Sequence, residues 1–181
     1  MQKITGLTYL PNYITPEQHT QLLTQIDQAT WDTTLKRRVQ HYGYRYDYKA
    51  RRVTADMQLG PLPTWLGRFA QQLTTDNHIT APPDQVIINE YLPGQGIAPH
   101  IDCEPCFGDK IFSLSLGSPT IMQFTHPAHS RQELLLEPRS LLIMTGSARY
   151  DWKHAIPARK SDHGTPRGRR VSLTLRKVIH R

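Results

Sequence analysis

His100 and Asp102 stand two residues apart, His154 follows after 51 intervening residues (103–153), and Arg170 and Arg176 lie near the end of the 181-residue chain. Two imidazoles and one carboxylate on one face of an octahedron leave three positions open. That arrangement suits a non-haem Fe(II) that binds a second ligand and O₂ together. On extended backbone the side chains of residues i and i+2 leave on the same side, so His100 and Asp102 can chelate one ion. A lone His-x-Asp is common by chance, and the context gives it weight: His100 follows a strand pattern and the turn Pro93-Gly94-Gln95-Gly96, and His154 closes another strand pattern.

The arginines point to an anion. Period-two alternation over Arg170–Arg176 places Arg170, Ser172, Thr174 and Arg176 on one face and Val171, Leu173 and Leu175 on the other. If the apolar face packs between layers, the polar face looks into a cavity, and two inward arginines are costly unless an anion meets them. A dicarboxylate would satisfy both. On a solvated strand of a basic tail the same arginines would need no partner.

Elements that could position these residues are legible along the chain. Thr15-Pro16-Glu17-Gln18 reads as a helix start with an N-cap, a proline in the first turn and a capping-box Gln; Leu22, Leu23 and Ile26 mark its apolar stripe, and it should end near Trp31. A second helix is expected from Pro63 to Leu73 on the stripe Trp65, Phe69, Leu73. From Val86 onward short strands follow: 86–91, 110–116, 120–124, 134–137, 140–144, 149–154 and 169–178. This is a mainly β pattern with flanking helices, which implies an antiparallel sandwich or barrel buttressed on one face. Residues 158–168 are polar and of mixed charge, an exposed-loop composition.

Lys and Arg number 22 against 15 Asp and Glu, so the net charge is 22 − 15 = +7, and such a surface attracts polyanions. The length fits one domain, 1–181. No window approaches the roughly 20 apolar residues that span a bilayer, and the N-terminal segment has no signal-peptide core, so a cytoplasmic protein with no membrane partner is expected, working as a monomer. Cys103 and Cys106 fit a reducing compartment; as a single C-x₂-C they make a poor zinc site and read as loop filler, with no disulfide framework. His126 and His129 read as a turn, and His41, His78, His163 and His180 lack a companion at ligand spacing.

In order, Asn89-x-Tyr91, Pro93-Gly94, His100-x-Asp102, Ser113-x-Ser115-Leu116-Gly117, His154 and Arg170-x-Ser172-x-Thr174-x-Arg176 resemble the AlkB family of Fe(II)/2-oxoglutarate dioxygenases over about residues 36–178. The resemblance implies a double-stranded β-helix (jelly-roll) core, with His100, Asp102 and His154 as catalytic iron ligands. It also implies that Asn89, Tyr91, Arg170, Ser172, Thr174 and Arg176 hold 2-oxoglutarate, Arg170 at the distal carboxylate and Arg176 towards the metal. Ser172 departs from the family signature, which often has Asn there. The implied chemistry couples decarboxylation of 2-oxoglutarate by O₂ to oxidation of a substrate C–H; hydroxylating an N-methyl group releases formaldehyde, so demethylation and hydroxylation are one reaction with different leaving groups.

Residues 36–48 interleave Lys36, Arg37, Arg38, His41 and Arg45 with Tyr42, Tyr44, Tyr46 and Tyr48. Cations beside flat rings suit a nucleic acid whose base must leave its stack for chemistry. By the resemblance, residues 36–58 form a nucleotide-recognition lid; equally, the tyrosines could alternate on one face of a hairpin and pack inward. Arg38, His41, Tyr42, Tyr44 and Tyr46 are the substrate-contact candidates there. Glu104 could read a flipped base or sit in solvent, and Trp152 would point with His154 on a regular strand and wall the pocket. The 39–43 and 141–150 runs are most similar to the branch that hydroxylates wobble uridines of tRNA, whose usual RNA-binding and methyltransferase domains have no room in 181 residues. The expected function is oxidative demethylation or hydroxylation of modified bases in DNA or RNA. Hydroxylation of a protein side chain or small metabolite, and a catalytically silent nucleic-acid-binding module, are the alternatives.

Overall fold

The computed structural model describes residues 3–179, so the expectation for His180 lies outside the described residues. Thr15 caps the first helix as its sequence implies: its hydroxyl accepts from the Gln18 N–H at 3.1 Å and the Gln18 side chain accepts from the Thr15 N–H at 2.9 Å. This helix, α1 (Pro16–Gln28), follows strand β1 (Leu7–Leu10) and ends three residues before Trp31. It stops early because Ala29 is extended and Asp32 bridges back to Val39, at the start of β2 (Val39–Tyr42). Helix α2 (Thr64–Thr75) buries Leu66, Phe69, Ala70 and Leu73.

The strand series then runs through β3 (Gln85–Tyr91), β4 (Ile97–His100), β5 (Ile111–Gly117), β6 (Thr120–His126), β7 (His129–Leu136) and β8 (Leu141–Met144). After the short helix α3 (Gly146–Tyr150) come β9 (Lys153–Ile156), the two-residue strands β10 (Ser161–Asp162) and β11 (Thr165–Pro166), and β12 (Arg170–Arg176). All pairings are antiparallel. A six-stranded sheet has the order β1-β8-β5-β12-β3-β2 and a four-stranded sheet the order β4-β9-β6-β7, which gives the jelly-roll sandwich.

The two faces of the large sheet have different work. Val86, Ile88, Leu114, Leu116, Val171, Leu173 and Leu175 meet Leu22, Ile26, Leu66, Phe69 and Leu73 of the helices. The opposite face, with Ile87, Ile111 and Tyr91, meets Met122, Phe124 and Ile156 of the small sheet. Burial on both faces explains why β3, β5 and β12 read so clearly: β12 lies between β5 and β3 and has every residue but Thr174 buried.

Several local expectations need correction. The strand expected over 149–154 begins only at Lys153, because Gly146–Tyr150 forms a helical turn in which the Asp151 and Trp152 N–H groups both donate to the Ser147 carbonyl. His126 and His129 are not a free turn; they end and begin paired strands. Tyr42, Tyr44, Tyr46 and Tyr48 do not share one face. Gly43 breaks the alternation at φ +77°, and a Cβ there would lie 1.9 Å from the Asp84 carbonyl oxygen. As a result Tyr42 packs on Trp65 beside the helices, while Tyr44, Tyr46 and Tyr48 join the interior cluster. Cys103 and Cys106 are buried and joined in a disulfide, so they are neither loop filler nor the free thiols expected of a reducing compartment.

Residues 158–168 are not a plain exposed loop either. Asp162 is buried and accepts from Arg167 Nε at 2.8 Å, from Arg159 Nε at 2.7 Å and from the Ile121 N–H at 3.2 Å. Burial would raise its pKa, but the two guanidiniums and the backbone donor outweigh that and hold it at about 2. A carboxylate depressed in this way stabilises the fold above its unfolded value near 4 and loses that contribution as pH falls towards about 2. Asp162→Asn is expected to destabilise the protein by about 1–3 kcal/mol at pH 7, and chemical denaturation below pH 2 should bring variant and wild type together.

Candidate active site

Each ligand candidate is set by strand pairing. His100 ends β4 directly opposite His154 in β9, and the two rings lie 4.3 Å apart. Asp102 follows in the non-strand segment after β4, and its Oδ1 lies 3.4 Å from His100 Nε2 and 3.4 Å from His154 Nε2. One donor atom from each of the three residues falls within 4.8 Å of the others, a spacing that could hold a metal ion. His100 Nδ1 is 2.8 Å from the Ala98 carbonyl oxygen, so the tautomer with its proton on Nδ1 satisfies that oxygen and leaves Nε2 with a free lone pair.

The second carboxylate oxygen has a different partner. Asp102 Oδ2 accepts from Arg176 Nη1 at 2.9 Å, a buried charge pair. Burial alone would raise the pKa of Asp102, but Arg176 foremost, with the two imidazoles beside it, holds it well below the usual carboxylate range. His154 moves the other way: burial lowers it to about 4 against the pull of Asp102, with His100, Arg176 and Arg149 adding to the drop. At pH 7 the site therefore presents an anionic carboxylate and a neutral His154 imidazole, the forms that bind a metal.

The pocket continues along β12 as the alternation implies. Arg170, Ser172, Thr174 and Arg176 all line it, together with Asn89 and Tyr91 of β3 and Ser113 of β5. Cross-strand register explains the grouping: Arg170 pairs with Tyr91, Ser172 with Asn89 and Arg176 with Gln85. Arg170 is buried, donates through Nη2 to Ser115 Oγ at 3.1 Å and lies 5.2 Å from the Tyr91 ring, while its Nε has no partner. Arg176 donates through Nε to Gln85 at 2.9 Å and rests 3.8 Å from the Phe107 ring, but its Nη2 has no partner. Two buried guanidiniums that line one cavity, each with an unpartnered N–H, could receive carboxylates. Ile87, Ile97, Met122, Met144 and Ile156 supply apolar walls that exclude water.

The expected substrate contacts are only partly brought to this pocket. Tyr46 lines its outer mouth with Tyr48, Arg51, Pro99 and Cys103, and exposed Glu104 stands on the same rim near Lys153. Arg38 lies elsewhere, paired with Glu90 at 2.7 Å and stacked 4.5 Å from Trp31. Tyr42 faces α2, and buried Tyr44 offers no free ring to stack on. His41 is largely covered, with its ring 6.1 Å from Tyr48. Trp152 lies just before β9, buried in the interior cluster with its ring stacked on His129 at 5.4 Å and tilted against His126 at 5.2 Å, and it is not among the residues that line the pocket. Sequence reasoning passed over Gln85, named Ser113 and Ser115 only within the family motif, and left Tyr48 out of the substrate-contact candidates. Extending the period-two pattern by one residue in β3 and reading it across β5 would have found the first three.

The chain belongs to the 2OG-Fe(II) oxygenase superfamily, whose family model matches residues 6–176. Within it the relatives are of the AlkB type. The chain is 38% identical over 203 residues to the Arabidopsis thaliana protein named alkylated DNA repair protein ALKBH8 homolog, covering 97% of this chain and 59% of that one. It is 40% identical over 203 residues to the Xenopus tropicalis tRNA (carboxymethyluridine(34)-5-O)-methyltransferase alkbh8, covering 97% of this chain but 32% of that protein. The chain thus spans about three-fifths and one-third of these two relatives. The solved structure of OsALKBH1 shares the fold, with TM-score 0.76 at 16% identity over 98% of this chain and 99% of that one. The protein is accordingly an Fe(II)- and 2-oxoglutarate-dependent oxidoreductase, and the donor set and the unpartnered guanidinium groups fit both cofactors. Arg170→Met should weaken 2-oxoglutarate binding by at least about tenfold, the effect of losing one charged hydrogen-bonding partner. Calorimetric titration with Mn(II) in place of iron measures this, and thermal unfolding should show a metal-free protein at least as stable as wild type, because an underpaired buried cation has gone.

Proposed function

We propose that this chain oxidises modified bases in RNA, with tRNA as the favoured substrate, by hydroxylation or oxidative demethylation. The observation that carries the chemistry is the division of the Asp102 carboxylate between two imidazoles and Arg176, at one end of a buried cavity whose far end holds the free Nε of Arg170. In this reading His100, Asp102 and His154 hold the iron. Arg170 binds the distal carboxylate of 2-oxoglutarate beside Ser115, while Asn89, Tyr91, Ser172 and Thr174 line its path and Arg176 steadies the metal end. When bound, the iron and its cosubstrate couple reduction of O₂ and release of CO₂ and succinate to oxidation of a C–H bond.

The protein's own residues orient and shield. Neutral His154 is ready to ligate without losing a proton, and the contact of His100 Nδ1 with the Ala98 carbonyl leaves Nε2 facing Asp102. The apolar walls keep water from the reacting carbon, and the buried guanidiniums are already in place before cosubstrate arrives, so little reorganisation remains.

The nucleic-acid part rests on different features. A net charge of +7 favours polyanions, and the mouth is framed by Tyr48, Arg51 and Lys153, aromatic and cationic groups suited to a splayed-out nucleotide. The segment 43–58 that supplies most of them folds back over the metal loop, held by the bridges Tyr44 to Gln58 and Asp47 to Arg52 and by a 2.8 Å bond from Arg51 Nη2 to the Ile101 carbonyl. We take residues 36–58 as the recognition lid of a single domain spanning 1–181, acting as a cytoplasmic monomer. The name of the Xenopus tropicalis relative supports the choice of tRNA, while that of the Arabidopsis thaliana relative refers to alkylated DNA.

The test is anaerobic reconstitution with Fe(II), followed by mass spectrometry for succinate after O₂ and 2-oxoglutarate are added, with and without total tRNA or methylated DNA oligonucleotides. Succinate should form fastest with tRNA, alongside a gain of oxygen or loss of a methyl group in one nucleoside, and Asp102→Ala should abolish it. Equal succinate with every polymer and with none would overturn the RNA reading; undiminished succinate from Asp102→Ala would overturn the site.

A further inference from the structure

A buried cation stands just beyond the ligand set. Arg149 is 2% exposed and belongs to α3, five residues before His154. Its guanidinium gives its donors to backbone carbonyls of a single segment: Nη1 to Asp102 at 2.7 Å, Nε to Gly108 at 3.2 Å, and Nη2 to Cys103 at 3.3 Å and Phe107 at 3.4 Å. The Tyr150 ring lies 4.8 Å from the same guanidinium.

Satisfying loop carbonyls in this way is unusual work for a buried charge, since neutral donors could do it with less desolvation. What arginine adds is a rigid planar fork that reaches several acceptors at fixed angles. The segment it gathers is the turn 102–108, which lies outside the named strands and is tied by the Cys106 and Phe107 N–H bonds to the Cys103 carbonyl, by the Cys103–Cys106 disulfide and, at its far end, by the pairing of 106–108 with 177–179. That turn carries Asp102 at its first position. Residues 101–109 lie outside the named strands; Arg51 Nη2 holds the Ile101 carbonyl at 2.8 Å and Phe107 bridges to Val178, but the bond to the Asp102 carbonyl itself comes from Arg149.

We propose that Arg149 is a positioning residue for the metal centre: by gripping the Asp102 carbonyl and the turn behind it, its guanidinium holds the Asp102 carboxylate where both imidazoles can share an ion with it. The two arginines then act on opposite ends of one residue, Arg176 on the side chain at 2.9 Å and Arg149 on the main chain at 2.7 Å. The inference rests on the reading of His100, Asp102 and His154 as iron ligands.

Titration with Co(II), followed by its visible absorption, tests the assignment in Arg149→Lys, Arg149→Met and His100→Ala, with thermal unfolding of each metal-free protein measured beside it. Residues that hold metal ligands in place change affinity by about 10- to 100-fold. Both Arg149 variants should fall in that range with altered Co(II) bands, the Lys variant less, since it can still reach the Asp102 carbonyl but cannot fork across the turn. Saturating metal should restore part of the succinate formation. Wild-type Co(II) affinity in folded Arg149→Lys overturns the proposal, even if Arg149→Met does not fold. A lower melting temperature with unchanged affinity in either variant likewise overturns it and leaves a structural role only. Undiminished Co(II) binding by His100→Ala would instead overturn the ligand assignment beneath it.

Discussion

The Asp102 carboxylate is the constraint on which the site depends, because it serves two masters with its two oxygens. Oδ1 lies 3.4 Å from both imidazoles and Oδ2 is bonded to Arg176. A buried carboxylate with no cation beside it would take up a proton and lose its capacity to ligate. Arg176 prevents that, and in doing so ties the His100, Asp102 and His154 end of the cavity to β12, in the middle of the large sheet. A charge pair this buried adds little to net stability compared with apolar residues of the same volume. Its presence makes sense as preparation for an ion and an anionic ligand.

The sandwich accomplishes this by register. β12 is flanked by β3 and β5, so each inward position has a neighbour fixed on either side: Tyr91 and Gly117 flank Arg170, and Asn89 and Ser115 flank Ser172. A slip of one residue would turn both arginines towards the helices and Val171, Leu173 and Leu175 into the cavity. The packing of those three against α1 and α2 thus fixes the direction of the arginines, which links helix packing to the binding of a dicarboxylate. The small sheet acts in the same way on His100 and His154 through the pairing of β4 with β9.

Much of this was legible in the sequence, and the parts that were share a physical reason. Central strands buried on one face by helices and lined on the other by polar groups alternate strictly, so β12 and β5 and the direction of Arg170 and Arg176 follow from period two. The capping box of α1 is local and likewise readable. Edge strands β1, β2 and β4 are four residues long and carry too little pattern to stand out. β7 begins five residues earlier than expected because, at the edge of the small sheet, its polar HSRQE segment can face solvent. The tyrosines of 42–48 misled because one glycine at positive φ reverses the face, which alternation alone cannot reveal. Arg149 and Asp162 act on backbone and side chains distant in sequence or hidden in loops, where no periodicity marks them.

The most direct test of the central claim is anomalous diffraction from crystals grown with Mn(II) and 2-oxoglutarate in the absence of O₂. A single strong peak bounded by His100 Nε2, Asp102 Oδ1 and His154 Nε2, with the distal carboxylate of the cosubstrate on Arg170, is the expected result. A metal held without Asp102, or a cosubstrate lying away from Arg170, would contradict it.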